Sequence, residues 1–423
     1  MPKPYVTILG KAVRTAARLR GGGGSALPGL FVEHIDPDFI KNTLATLPRG
    51  VVVISGTNGK TTTTKMVVEL LESQGLRVFT NKSGSNFTRG VAAALLGEIN
   101  LKGELHADIA VLELDEAHAV HFVRAVAPRY SLILNVMRDQ LDRFGEIDAT
   151  ATLLRAIAVS TSEAVVLNRE DARVAGLTSS LTDQRVSYFG LAEDLLSTFP
   201  SDDHLRGGAK PHTSLTADVV LSSFTGDAAT FLIGQRTVTT PLKLTGIYNV
   251  YNAAAALALV RTILGKAVDH DSLIAALGNV TPAFGRGETL MVDGQPVELV
   301  LVKNPSGFRL GLQSFAPEGY ATMIAINDNY ADGRDMSWLW DVDFESLARE
   351  GVAQVAGIRA YDMALRLQYD EVPIASVTTD LKKALTIFLR DHTGQPKRIY
   401  CTYTAMLKLR RDIGKLITVE RIG

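Results

Sequence analysis

The chain has 423 residues, too many for one ordinary core, so two or three domains are expected. With 46% hydrophobic residues it should be globular, and 44 Lys plus Arg against 45 Asp plus Glu argue against a general binder of polyanions. A single cysteine, Cys401, excludes an intrachain disulfide framework and a four-cysteine zinc site, and fits a reducing compartment.

The first twenty residues carry Lys3, Lys11, Arg14, Arg18 and Arg20 and no acid, in a pattern that predicts an amphipathic helix. Peripheral contact with an anionic membrane surface is one reading; a helix packed on its own domain is the preferred one. The run Gly21 to Gly24 then predicts a flexible break. No run of about 18 apolar residues predicts a spanning helix, and the opening residues lack the apolar core of a secretory signal. A soluble, cytoplasmic protein, working at most at the inner face of the membrane, is expected.

At 51–64 the sequence reads VVVISGTNGKTTTT: an apolar strand, a glycine-flanked loop, then Lys60 and Thr61 opening a helix whose Met66, Val67, Leu70 and Leu71 recur at helical spacing. Glycines let backbone N–H groups approach an anion, the helix N-terminus adds partial positive charge, Lys60 neutralises phosphate oxygens and the Thr61 hydroxyl can ligate Mg²⁺. The loop is a shorter variant of the common phosphate-binding pattern, which would need glycine where Ile54 stands. It predicts a nucleoside triphosphate.

Further apolar runs at 109–112, 132–134 and 165–167 alternate with helical patterns, which predicts an α/β fold with a doubly wound parallel sheet and its ligand at the carboxyl ends of the strands. Glu113 ends one such run, beside the predicted phosphate site, where a carboxylate suits Mg²⁺. Asn135 ends another, with Asp139, Asp142 and Arg143 following; loop hydrogen bonds alone explain these residues as well. Residues 195–243 turn polar and then alternating, as a small β insertion. Asn249 and Asn252 lie on one face at a helix start, either as caps or as an amide matched to an adenine edge. The turn-rich FGRGE at 284–288 places a domain boundary near Met291.

Taken in order, GTNGKTT at 56–62, Glu113, N-x-x-x-D-x-x-D-R at 135–143, G-x-x-N-x-x-N-A-x-A-A at 246–256 and G-R-x-E at 285–288 resemble the central ATPase domain of the Mur ligases. The resemblance implies phosphorylation of a carboxylate by ATP and attack of an amine on the acyl phosphate. It implies a nucleotide site at Gly56, Thr57, Asn58, Gly59, Lys60, Thr61 and Thr62, with Asn252 on adenine and Arg286 on sugar or phosphates. Thr61 and Glu113 would hold Mg²⁺. Typical Mur ligases carry a UDP-sugar domain before the loop; the segment 1–50 is too short for one. They also have histidine at Gln140 and a carbamylated lysine near Arg155, which puts a second Mg²⁺ in doubt.

The rest of the chain, 291–423, is expected to form a smaller C-terminal α/β domain after the ATP-binding domain 51–290. Its INDNYADGRDMSWLWDVDFE at 326–345 and TYTAML at 402–407, with SALPG at 25–29, are similar to the MurT family, the ligase-like subunits of lipid II isoglutaminyl synthase. That resemblance implies amidation of the α-carboxylate of D-glutamate in lipid II, in a heterodimer with the glutaminase subunit GatD. Asp335 matches the aspartate thought to complete the partner's Cys and His triad, while Asp328 and Asp332 are better read as salt-bridged loop residues. Relatives that insert a zinc ribbon use four cysteines; His204 and His212 are a poor substitute. Cys401, in an apolar run, reads as core packing, so nitrogen would come from free ammonia or a second protein. Two alternatives remain: an amino-acid-adding ligase of the folylpolyglutamate or conventional Mur kind, and a non-catalytic ATP-binding scaffold for the glutaminase.

Overall fold

The computed structural model describes residues 4–19, 26–81, 88–138, 147–199, 214–226, 228–244, 246–281 and 286–417. Strand β1 (Val51–Ser55) is buried along its whole length, and its period of two sends Val52 and Ile54 into one apolar cluster and Val51 and Val53 into another. A strand of this kind needs helices on both faces. It sits inside a nine-stranded sheet of order β2-β3-β1-β4-β5-β6-β7-β8-β9. The other strands are β2 (Val78–Thr80), β3 (Ile109–Glu113), β4 (Tyr130–Ile133), β5 (Ala164–Asn168), β6 (Arg185–Leu191), β7 (Val219–Thr225), β8 (Ala228–Ile233) and β9 (Arg236–Pro241). Pairing is parallel from β2 to β7 and antiparallel from β7 to β9. The stretch read as a small β insertion therefore contributes strands that lengthen this same sheet.

Helices α1 (Pro4–Leu19), α2 (Ala26–Ile35), α3 (Phe39–Leu44), α5 (Thr88–Glu98), α6 (Glu116–Ala125), α7 (Ile147–Val159) and the short α8 (Ala172–Gly176) lie on one side. The other side holds α4 (Lys60–Ser73), α9 (Ile247–Leu264) and α10 (His270–Asn279). Among the described residues α9 alone is long and apolar enough to cross a membrane, although its sequence is no unbroken apolar run. It is a core helix: residues 252–260 are all buried, as an all-round apolar helix requires.

Because β1 is flanked by β3 and β4, the chain leaves its carboxyl end toward β2 on one side and reaches β4 on the other, so that end is a topological switch point. A second sheet, of order β10-β11-β15-β12-β13-β14, comprises β10 (Arg286–Val292), β11 (Gln295–Leu301), β12 (Ala321–Ala325), β13 (Gln354–Ala356), β14 (Val377–Thr378) and β15 (Lys397–Cys401). It is parallel apart from the β10–β11 hairpin. Asp293 and Gly294 turn that hairpin, both at positive φ, as a two-residue connection matched to strand twist requires. Helices α11 (Pro305–Ser314) and α12 (Ala360–Tyr369) cover one face, and α13 (Leu381–Asp391) and α14 (Tyr403–Ile413) the other.

Candidate active site

The loop after β1 is shaped by two glycines. Gly56 has φ +134 and Gly59 φ +87; a Cβ on Gly56 would lie 2.9 Å from the Asn135 amide nitrogen, and one on Gly59 2.6 Å from Asn252 Oδ1. Asn135 secures the loop between them. Its carbonyl accepts from Thr57 N at 3.0 Å, its Oδ1 from Asn58 N at 2.8 Å, and its Nδ2 donates to Asn58 O at 3.0 Å. Met137 N donates to Thr57 Oγ1 at 3.0 Å, so the segment after β4 braces the whole turn.

Lys60, at the first turn of α4, is buried. Its Nζ donates to the carbonyls of Gly56 and Thr57 and lies 3.3 Å from Glu116 Oε1. Glu116 is itself buried, and burial pushes its carboxyl above the usual range while the Lys60 charge pulls it back. Thr61 Oγ1 donates to Glu113 Oε1 at 2.7 Å. The backbone of Glu113 is clamped by Asn81, which accepts from its N–H at 2.9 Å and donates to its carbonyl at 2.7 Å. Thr62 Oγ1 and Asn252 Nδ2 are buried with no hydrogen-bond partner among the described residues. Thr62 at the start of α4, and Asn252 against the place of the missing Cβ of Gly59, fit an anionic group bound over the loop. Hard oxygens on Thr61 and Glu113 fit a Mg²⁺ ion shared with phosphates.

Glu116 and Asn81 escaped the sequence reading. Nothing in a glutamate near a helix start, or in an asparagine after a short strand, marks it for this role until β1 and β3 are paired.

The second sheet reaches the loop directly. Asn304, the N-cap of α11, accepts from Gly307 N and exchanges amide hydrogen bonds with Asn58 at 3.0 and 3.2 Å. Arg138 pairs with Asp341 at 2.6 Å, and Ile247 N donates to Ser314 Oγ at 3.1 Å. Asp335 is half-buried; its carboxylate accepts from Ser337 N at 2.9 Å, and this bond, with the Arg138 charge nearby, holds its pKa down. Asp328 pairs with Arg359 at 2.8 Å. Asp332 is buried and accepts from Thr404 and from Asn329 N, with burial pushing its pKa up. Cys401 is fully buried, and burial drives its thiol pKa far above the ordinary value. Arg286 opens β10, opposite Val300. Arg155 lies exposed on α7. Asp139, Gln140, Asp142, Arg143, His204, His212 and Gly285 lie outside the described residues.

A family model for the Mur ligase middle domain matches residues 54–260, and one for the MurT ligase C-terminal region matches residues 301–406. Over 92% of its length the chain is 30% identical to the lipid II isoglutaminyl synthase (glutamine-hydrolyzing) subunit MurT of Streptococcus pneumoniae, covering 92% of that protein. The chain belongs to the MurT family. The Staphylococcus aureus strain COL subunit MurT is 29% identical, with 91% of this chain and 92% of that one covered. As a MurT-family member the chain is a ligase of the Mur type. Among solved structures the fold is shared with Thermotoga maritima MurF in complex with ADP, at TM-score 0.68 and 18% identity, covering 90% of this chain and 83% of that one. Mycobacterium tuberculosis folylpolyglutamate synthase shares it at TM-score 0.64 and 17% identity, with 92% and 98% covered.

Proposed function

We propose that the chain is the ATP-consuming subunit of a glutamine-dependent amidotransferase that converts the α-carboxylate of D-glutamate in lipid II to D-isoglutamine during peptidoglycan synthesis. One observation carries this reading: a phosphate loop centred on Lys60 is hydrogen-bonded, through Asn58 and Asn304, to a MurT-type C-terminal domain bearing Asp335. The relatives named as subunits of a glutamine-hydrolyzing lipid II isoglutaminyl synthase support it.

In this reading ATP lies along Gly56, Thr57, Asn58, Gly59, Lys60, Thr61 and Thr62, with Asn252 on the adenine side and Arg286 on sugar or phosphates. Thr61 and Glu113 would hold Mg²⁺, which supplies charge neutralisation on the phosphates. Lys60 adds to that neutralisation, and Glu116 positions Lys60. A carboxylate oxygen of the substrate attacks the γ-phosphorus and ADP leaves. Ammonia nitrogen then attacks the acyl carbon, phosphate departs, and the nitrogen sheds its extra proton to give the amide. For such chemistry positioning and fixed charge do most of the work.

The ammonia comes from a separate glutaminase subunit, GatD. Cys401 is a poor nucleophile, because a buried thiol with a raised pKa holds almost no thiolate. Asp335 is kept ionised, as a residue orienting a partner's histidine must be. Exposed Trp340 and Tyr369, stacked edge to face at 5.5 Å, and exposed Tyr361 and Leu365 on α12 give that region an aromatic surface suited to a protein partner.

The test is mass spectrometry of lipid II incubated with the chain, the glutaminase subunit, glutamine, ATP and Mg²⁺. Carboxylate should become amide. Lys60→Ala should abolish the product, and Asp335→Asn should remove glutamine-driven amidation while leaving amidation by added ammonium. Full product with Lys60→Ala would establish the scaffold reading instead. Incorporation of free amino acids without the partner would favour the amino-acid-adding reading, which the fold of folylpolyglutamate synthase accommodates.

A further inference from the structure

Helix α1 carries its apolar surface on the wrong side for a helix that faces only water. Its inward positions, Val6, Thr7 and Gly10, pack against α2 and α5; a Cβ on Gly10 would lie 2.7 Å from both Leu96 and Val32. Lys11 also turns inward, donating to Leu96 O at 2.9 Å in the last turn of α5. The outward positions 5, 8, 9, 12, 15 and 16 are Tyr, Ile, Leu, Ala, Thr and Ala, all exposed and without a charge. Tyr5, Ile8 and Leu9 are 54%, 53% and 46% exposed. Helix α2 adds Leu27 and Leu30, 58% and 43% exposed, and an open apolar cleft between the helices is lined by Val13, Leu27, Leu30, Phe31 and His34. Gly29 holds α2 so close to α5 that a Cβ there would meet Arg89 O at 2.0 Å, so the pair is a fixed platform.

Charge selects what covers this face. The first acid in the chain is Glu33, whereas Lys3, Lys11, Arg14, Arg18 and Arg20 all precede it, in a protein whose net charge is only -1. A second copy docking here through a two-fold axis would bring the same basic segment against itself. An anionic lipid surface offers the opposite charge and an apolar layer beneath it.

We propose that the α1–α2 face docks on an anionic bilayer, with Tyr5, Ile8, Leu9, Leu27 and Leu30 entering the acyl boundary and the net positive charge of the first 32 residues favouring anionic headgroups over neutral ones. If lipid II is the substrate, as proposed above, this face brings the ligase to the surface that carries it. The docking itself does not need that reading.

The full chain is floated with vesicles of phosphatidylglycerol and phosphatidylcholine, and with phosphatidylcholine alone. It should float with the first only, release at high salt, and partition roughly tenfold less as the Ile8→Glu/Leu27→Glu variant. Circular dichroism confirms that the variant is folded; should it not fold, the fluorescence of a Tyr5→Trp variant replaces it, expected to shift blue with the anionic vesicles. Flotation with neither vesicle, equal flotation with both, unchanged partition in the variant, or no blue shift would overturn docking. So would a self-association or a loss of glutaminase binding that tracks the same substitutions, since the face would then belong to a protein. Amidation of detergent-solubilised lipid II is read separately and can succeed or fail independently.

Discussion

Lys60 and Glu116 are 8% and 3% exposed and 3.3 Å apart, so neither charge has water to fall back on. Breaking such a pair ordinarily costs about 3–5 kcal/mol, because the survivor is left charged and unpaired. Glu116 has an escape, since burial already raises its pKa and a proton can replace the lysine. In Lys60→Ala its folded-state pKa should rise further above the unfolded value of 4.5. A carboxyl raised on folding stabilises below its unfolded pKa and loses that stability as pH climbs through the folded one. Lys60→Ala should therefore be nearly as stable as the parent near pH 4 and fall behind it progressively toward neutrality, and adding Glu116→Gln should flatten the difference. Urea denaturation across that pH range checks this; a deficit independent of pH would mean that Glu116 stays ionised. The lysine was legible from the sequence because GTNGKT is a local pattern. The glutamate was not, because its meaning depends on a contact across 56 positions of chain.

At the scale of elements the loop between β1 and α4 is a backbone device as much as a set of side chains. Gly59 sits at φ +87 with Asn252 against the place of its missing Cβ. Gly75, at φ +81 after the same helix, has nothing within 4 Å. Both substitutions to alanine incur left-handed strain of about 1–2 kcal/mol. Gly59→Ala must in addition displace Asn252, so it should lose the thermal shift given by ATP and Mg²⁺, while Gly75→Ala should keep it. Equal shifts in the two variants would show that the Asn252 contact is irrelevant to nucleotide. The strands around this loop were readable, because β1, β3 and β5 are short apolar runs buried on both faces. Which sheet β7 to β9 join was not, since alternation specifies a half-buried strand but not its neighbour.

For the whole molecule the question is what couples the two sheets. Arg138–Asp341 is partly exposed and is worth at most about 1 kcal/mol. The Asn58–Asn304 pair is better placed, because Asn58 belongs to the loop between β1 and α4 and Asn304 also caps α11. No sequence pattern announces this pair; two asparagines 246 positions apart become partners only when both domains are folded against each other. The two roles of Asn304 separate by substitution. Asn304→Ala loses the cap and the contact with the loop, and should lower stability by about 1 kcal/mol. Asn304→Asp keeps an acceptor for Gly307 N but cannot donate to Asn58 Oδ1, so its melting temperature should stay near that of the parent. If the bond carries the position of the C-terminal domain to the loop between β1 and α4, both variants should turn over ATP in the reconstituted complex severalfold more slowly. Turnover by Asn304→Asp equal to the parent's would leave Asn304 with only its helix cap, and the coupling of the two sheets would then rest on other contacts, Arg138–Asp341 and the packing of α9 on α11 among them.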